Sequence, residues 1–318
     1  MTAAAEPAAA KHHHQYQYQY QAKDRITMDD SGFSTMLARL SEKSRDDYYN
    51  PYTKFSWPDT VPEDQWWMNP DYLTVSGTGL IDDEKTLKAL ARYETVNFFS
   101  LHVHGIRELM IEVAKRIHTP DFADYNEYLH HFIGEENAHM WFFAEFCYRY
   151  TGGIYPEAAS PLRREGFGDL WDDVIVFSRI LIFEEIFDYY NSRMGKDPLI
   201  PDILREIHSA HHHDESRHVA FGKQLVKRLY DRALAADPGR RDEIEKYVKD
   251  YMTYSVRSLY NPQIFRDCGA ENPLALRRQA MSHPVREAFH VKLMARVDRF
   301  FVASEMFSTS WGTDHVSA

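Results

Sequence analysis

Residues 82–118 repeat a stripe of side chains at spacings of three and four, which indicates one face of a helix. The stripe consists of Leu90, Asn97, Leu101, His104, Glu108 and Ile111. Thr119-Pro120-Asp121 predicts that this helix ends and another begins, because proline suits a first helical turn. The second helix is predicted over 122–150, and Gly152-Gly153 end it.

The same pattern predicts further helices and almost no strand. A third helix is predicted over 169–194 and a fourth over 201–234, with others near 241–260 and 272–306. No segment shows sustained alternation with a period of two, which a half-buried strand requires. Four long helices joined mostly by short turns predict an all-α fold, an antiparallel bundle with additional flanking helices.

The N-terminus differs from the rest of the chain. Residues 1–30 contain an alanine-rich opening, the run Lys11-His12-His13-His14 and alternating Gln and Tyr, without an apolar face. This composition predicts a disordered tail. Residues 31–318 are predicted to form a single helical domain, with the core bundle at about 82–235.

Charge and composition narrow the range of partners and compartments. The net charge of −11 disfavours nucleic acid and anionic membranes, both of which need a basic surface. No apolar run approaches the roughly 20 residues that a membrane span requires. With only two cysteines, Cys147 and Cys268, nothing in the sequence suggests a disulfide framework, and we expect a cytoplasmic protein.

Two Glu-x-x-His motifs are the strongest chemical signal. Glu136 and His139 lie on the second predicted helix, and Glu215 and His218 lie on the fourth. Residues three apart point to one side of a helix, so each carboxylate and imidazole can share a metal site. Singly, each residue is more often a surface or core group than a ligand. Two copies on two long helices favour a metal pair.

Such a site also needs a carboxylate from the helix before each motif. On the third helix, Glu184 shares the stripe of Phe177 and Leu181 and is preferred over Glu185. Glu184 precedes Glu215 by 31 residues (215 − 184).

Applying the same spacing to the first motif points to position 105 (136 − 31). Glu108 is the nearest acid and is our candidate ligand on the first helix. Glu94, Glu112 and His104 remain alternatives at this stage.

Four carboxylates and two imidazoles are ligands typical of iron or manganese, not of thiolate-bound structural zinc. His211 lies four residues before Glu215 and seven before His218, so it shares their helical face. The predicted metal ligands are therefore Glu108, Glu136, His139, Glu184, His211, Glu215 and His218.

These motifs resemble the ferritin-like di-iron carboxylate proteins. With the third imidazole, His211, they are most similar to the di-iron N-oxygenases typified by p-aminobenzoate N-oxygenase. The resemblance covers about 85–235 and implies a ferritin-like four-helix bundle. It carries over Glu136, His139, Glu184, His211, Glu215 and His218 as ligands. The family's spacing places the first-helix glutamate at Leu101 or its neighbours.

The resemblance implies an oxygenase with two irons. Such an enzyme activates dioxygen as a peroxo species and oxidises an amine to a hydroxylamine, nitroso or nitro product. It implies a small-molecule amine substrate, an external electron donor and, by analogy, a homodimer. The same ligands also suit a di-iron hydroxylase, desaturase or oxidative C–C cleaving enzyme. A non-catalytic iron-binding protein is the alternative of a different class.

Overall fold

Helices supply the regular structure of residues 30–316, which are the residues that this computed structural model describes. They are α1 (Asp30–Asp46), α2 (Pro51–Lys54), α3 (Glu84–Arg116), α4 (Asn126–Thr151), α5 (Asp169–Met194), α6 (Asp202–Ala236), α7 (Arg241–Ser258), α8 (Pro262–Asp267), α9 (Pro273–Met281), α10 (Pro284–Ala303) and α11 (Trp311–Val316). Within that range no strand occurs, so the all-α prediction is confirmed. The predicted N-terminal tail lies almost wholly outside the described residues.

Local chemistry sets the ends of the long helices. The Asp83 carboxylate accepts a hydrogen bond from the Thr86 backbone N–H at 2.8 Å, which caps the first turn of α3. Gly152 ends α4 in the left-handed conformation, with φ of 80°, and its N–H bonds to the Cys147 carbonyl. Pro201 precedes the first turn of α6, where the missing N–H costs nothing.

The four longest helices form a bundle of two antiparallel pairs. Helix α3 packs along α4, and α5 packs along α6, while α4 also contacts α6 and α3 contacts α5. Helix α1 covers α4 and α6, and both α7 and α10 pack on α5. The architecture is the ferritin-like bundle with flanking helices that the sequence predicts. Its centre is the place where α4 and α6 bring their Glu-x-x-His motifs together.

Aromatic side chains fill the bundle around that centre. Phe99 of α3 packs against Phe143 and Phe146 of α4, with ring centroids 4.8 and 5.1 Å apart. All three rings are fully buried. Burial of such large apolar surfaces stabilises the fold and also excludes water from the centre. Within residues 30–316, the helices lack the combination of length and apolarity that crossing a bilayer requires.

Candidate metal centre

Glu136 and His139 of α4 meet Glu215 and His218 of α6 in one buried cluster. One potential ligand atom from each residue lies within 4.8 Å of the other three. Nδ1 of His218 is 2.8 Å from Glu136 Oε1 and 3.5 Å from Glu215 Oε1. Nδ1 of His139 is 3.4 and 3.8 Å from the same two carboxylate oxygens. Both imidazoles therefore point the same ring nitrogen at the same pair of carboxylates.

Two further predicted ligands border this cluster. Nε2 of His211 lies 3.0 Å from Glu215 Oε1. Glu184 is fully buried and lies beside Glu215 and Glu136. Burial raises the pKa of Glu184 well above its ordinary value, and the negative charges of Glu215 and Glu136 raise it further. The structure thus brings six of the seven predicted ligands together.

Glu185 faces away from the cluster. Its carboxylate pairs with Lys223 Nζ at 2.5 Å and with Arg296 Nε at 3.0 Å. These pairs link α5 to α6 and α10 and neutralise the Glu185 charge. The choice of Glu184 from the apolar stripe therefore agrees with where the two side chains lie.

The remaining predicted ligand, Glu108, is not brought to the cluster. Its side chain is 46% exposed and pairs with Arg179 Nη2 on α5 at 2.6 Å. The spacing rule that suggested Glu108 assumed two equivalent helix pairs. Nine residues (117–125) connect α3 to α4, whereas seven (195–201) connect α5 to α6. A spacing measured in one pair therefore does not transfer directly to the other.

The alternatives on α3 are also engaged elsewhere. Glu94 accepts hydrogen bonds from the backbone N–H and hydroxyl of Thr74 at 3.0 and 2.5 Å. Glu112 pairs with Arg116 at 2.7 Å and with Lys115 at 2.9 Å. Nε2 of His104 lies 2.8 Å from the carbonyl oxygen of Tyr155, on the wall of a cavity described below.

Two acidic residues that the motif spacing does not single out orient the motif imidazoles. Asp214 Oδ2 accepts a hydrogen bond from His139 Nε2 at 3.0 Å, and Glu135 Oε2 accepts one from His218 Nε2 at 2.7 Å. Arg217 donates to both carboxylates, at 2.5 and 2.7 Å. Metal-ligating imidazoles commonly give their second N–H to a carboxylate, which fixes the tautomer and the ring.

The donor set fits a pair of metal ions. Both carboxylate oxygens of Glu136, Glu184 and Glu215 are buried and make no well-oriented hydrogen bond within the described structure. The same is true of Nδ1 of both motif histidines, although His218 Nδ1 lies 2.8 Å from Glu136 Oε1. Leaving so many buried polar atoms unsatisfied is costly unless a cation binds them. In the metal-free protein, burial opposes the charge on His139. The Glu136 and Asp214 carboxylates outweigh burial and raise the His139 pKa to about 10.

A cavity of about 1150 Å³ lies beside this cluster. Leu101 and Gly105 of α3 and Phe183 and Phe187 of α5 form part of its wall. The Phe187 ring is 4.1 Å, centroid to centroid, from the buried His102 ring. His102 is in turn 4.9 Å from the His211 ring. The cavity and the cluster are therefore separated by a thin layer of aromatic side chains.

Comparisons with known proteins identify similar solved structures and one matching family. Two solved structures similar to this chain are point variants of R2-like ligand-binding oxidases with anaerobically reconstituted Mn/Fe cofactors. One is 17% identical with a TM-score of 0.44, and the other is 14% identical with a TM-score of 0.43. Both matches cover 86% of this chain and 93% of the other. No curated protein matches the sequence significantly. The family model of p-aminobenzoate N-oxygenase AurF matches residues 30–304, and the chain therefore belongs to the p-aminobenzoate N-oxygenase family of di-metal oxygenases.

Proposed function

We propose that this protein is a di-iron N-oxygenase of a small amine. The first oxidation would convert R–NH2, dioxygen, two electrons and two protons into R–NHOH and water, with the electrons supplied by an external two-electron donor. The observation that carries the proposal is the buried cluster of Glu136, Glu215 and their motif histidines beside a substrate-sized cavity. Cavities of this size accommodate small organic ligands.

The chain's own residues perform three tasks in this proposal. Glu136, His139, Glu184, His211, Glu215 and His218 would hold two irons, which supply the reductive activation of dioxygen when bound. Asp214 and Glu135 accept the Nε2–H of the motif imidazoles and so direct Nδ1 at the cluster, where a bound metal would replace the Nδ1 proton. The surrounding aromatic rings exclude water from the centre, which disfavours side reactions that consume electrons without oxidising the bound amine.

The cavity also contains a feature suited to an anionic group on the substrate. Arg257 and Arg277 both line the cavity. Burial lowers the pKa of Arg277, and the positive charge of Arg257 lowers it further. Within the described residues, no carboxylate pairs with either guanidinium. Arg179 in the same cavity is already paired with Glu108. An amine that also carries a carboxylate would relieve the repulsion between Arg257 and Arg277.

The test is turnover of an amine panel by iron-loaded protein with a chemical or enzymatic two-electron donor under 18O2. The panel contains aryl and alkyl amines, with and without a carboxylate. We expect a hydroxylamine, nitroso or nitro product that contains 18O on nitrogen, and carboxylated amines should have the lower KM. Arg277→Gln should raise the KM of carboxylated amines and leave that of neutral amines unchanged.

Three outcomes would contradict N-oxygenation. Products with 18O on carbon identify a hydroxylase, and dehydrogenated products identify a desaturase. Iron uptake without any turnover across the panel identifies an iron-binding protein. The Glu136→Ala, His218→Ala double variant is the negative control, because it removes one ligand from each motif.

A further inference from the structure

Helix α3 has no carboxylate available for the metal cluster. Its four acids are all paired elsewhere: Glu84 with Lys88, Glu94 with Thr74, Glu108 with Arg179, and Glu112 with Arg116. A bundle that holds two metals usually receives one ligand from this helix. The side chain that α3 does place next to the cluster is an imidazole, His102.

His102 is fully buried and lies directly against the cluster. Its ring centroid is 4.9 Å from that of His211, which is 4.5 Å from that of His139. Phe143 and Phe187 each pack on the His102 ring at 4.1 Å. These contacts hold the ring in one orientation between α4 and α5.

The hydrogen bonding of His102 determines which nitrogen is free. Nδ1 lies 2.8 Å from the Phe98 carbonyl oxygen, which accepts hydrogen bonds only, so Nδ1 carries the proton. Nε2 therefore presents a lone pair, and it is buried without a hydrogen-bond partner. Burial lowers the His102 pKa well below its ordinary value, which keeps the ring neutral. A neutral imidazole with one nitrogen anchored on a backbone carbonyl is the form that ligates metals.

We propose that Nε2 of His102 is the ligand that α3 contributes to the metal pair, in place of a carboxylate. The ligand set then contains three carboxylates (Glu136, Glu184, Glu215) and four imidazoles (His102, His139, His211, His218). Two divalent ions bound by three carboxylates leave one net positive charge, so the centre should attract a small anion. This proposal rests on the metal centre alone and does not depend on amine oxidation.

His208 provides a matched control for His102. It is also fully buried, its Nδ1 bonds Asn191 Oδ1 at 2.5 Å, and its Nε2 has no hydrogen-bond partner. The ring contacts of the two histidines differ. The His208 ring packs on Phe98 and Phe99, with centroids 5.7 and 5.4 Å apart, whereas the His102 ring packs on the His211 ring at 4.9 Å.

The experiment counts coordinated imidazoles in the Co(II)-loaded protein. Proton NMR of a high-spin Co(II) site resolves each ligating imidazole N–H as a paramagnetically shifted, exchangeable signal. We expect four such signals in the wild type and three in His102→Gln. His208→Gln should retain four. Competition with a chelator should show that His102→Gln binds one of its two Co(II) ions at least tenfold more weakly.

A carboxylate at the same position distinguishes lost ligation from lost folding. His102→Glu should restore two tightly bound Co(II) ions while still showing three imidazole signals. Three signals in the wild type, or an unchanged count and affinity in His102→Gln, would overturn the proposal. Four signals in a protein that oxidises no amine would leave His102 as a ligand and contradict only the N-oxygenase function.

Discussion

The carboxylate of Glu135 on α4 accepts the Nε2–H of His218 on α6 at 2.7 Å. The reverse contact, from His139 on α4 to Asp214 on α6, measures 3.0 Å. Each acid immediately precedes the glutamate of its own motif but orients the histidine of the other motif. Neither helix can therefore shift along its neighbour without disturbing both imidazoles. Arg217 bonds both acids and balances part of their buried negative charge.

Removing one of these carboxylates should weaken metal binding while the ligands themselves remain. We expect Glu135→Gln or Asp214→Asn to lower metal affinity by about 10–100-fold, which is the usual cost of losing such a partner. The neutral amide holds the imidazole N–H less strongly and no longer balances Arg217. Anaerobic chelator competition with Fe(II) measures the change. Glu145→Gln, which removes an α4 carboxylate paired with Arg149, is the control and should bind metal normally.

Much of the site could be predicted because helical periodicity places chemistry on one face. The spacing of Glu136 to His139 and of Glu215 to His218 identified the two helices that meet at the centre. The apolar sequence around Glu184 separated it from Glu185, whose partners Lys223 and Arg296 lie on other helices. Such local patterns can be recognised in the sequence because helix geometry alone places residues three and four apart on one face.

The contribution of α3 could not be predicted in the same way. Glu108 lies on the predicted stripe, but its pairing with Arg179 depends on the tertiary approach of α5. His102 was outside the predicted stripe because the face of α3 buried in the bundle is wider than one apolar row. Glu135 and Asp214 do have a signal in the sequence, because an acid stands directly before each motif glutamate, but the Glu-x-x-His motif itself assigns that acid no role.

Matched substitutions can test whether Glu184 on α5 binds metal and whether Glu108 on α3 does not. Glu184→Gln should reduce bound metal from two ions to one per chain, because an amide is a weaker and neutral donor. Glu108→Gln should retain two ions and lose only an exposed ion pair, worth at most about 1 kcal/mol of stability. Metal analysis of the purified variants measures both. Two ions in Glu184→Gln, or one in Glu108→Gln, would contradict the site described here.

The metal-free protein should lose stability as the pH rises above neutrality. The His139 pKa is raised from an ordinary 6.5 to about 10 in the folded state, where Glu136 and Asp214 outweigh the opposing effect of burial. A raised imidazole pKa stabilises the fold fully below pH 6.5, and that stabilisation is lost between 6.5 and about 10. We expect the free energy of unfolding to fall by at least ~1 kcal/mol over this range, since one pKa unit corresponds to about 1.4 kcal/mol.

Urea unfolding at pH 7, 8, 9 and 10 measures this dependence with a chelator present. Metal-loaded protein should show a much smaller fall, because a bound cation keeps the imidazole unprotonated throughout. The metal-free His139→Gln variant controls for lysines and tyrosines that titrate in the same range. Equal slopes for this variant and the metal-free wild type would show that His139 is not the titrating group.

Gly105 makes room for the ring that separates the cavity from the cluster. A Cβ at this position would overlap the Phe183 ring, and Phe183 is also 5.8 Å from the His102 ring. Gly105→Ala must therefore displace Phe183, and this overpacking should destabilise the fold by about 1–3 kcal/mol. The higher helix propensity of alanine offsets at most ~1 kcal/mol of that loss. We expect a lower melting temperature and an altered kcat/KM at unchanged metal content. Gly134→Ala on α4 meets no atom within 4 Å and should be neutral or stabilising, so a matching loss there would exclude Phe183 as the cause.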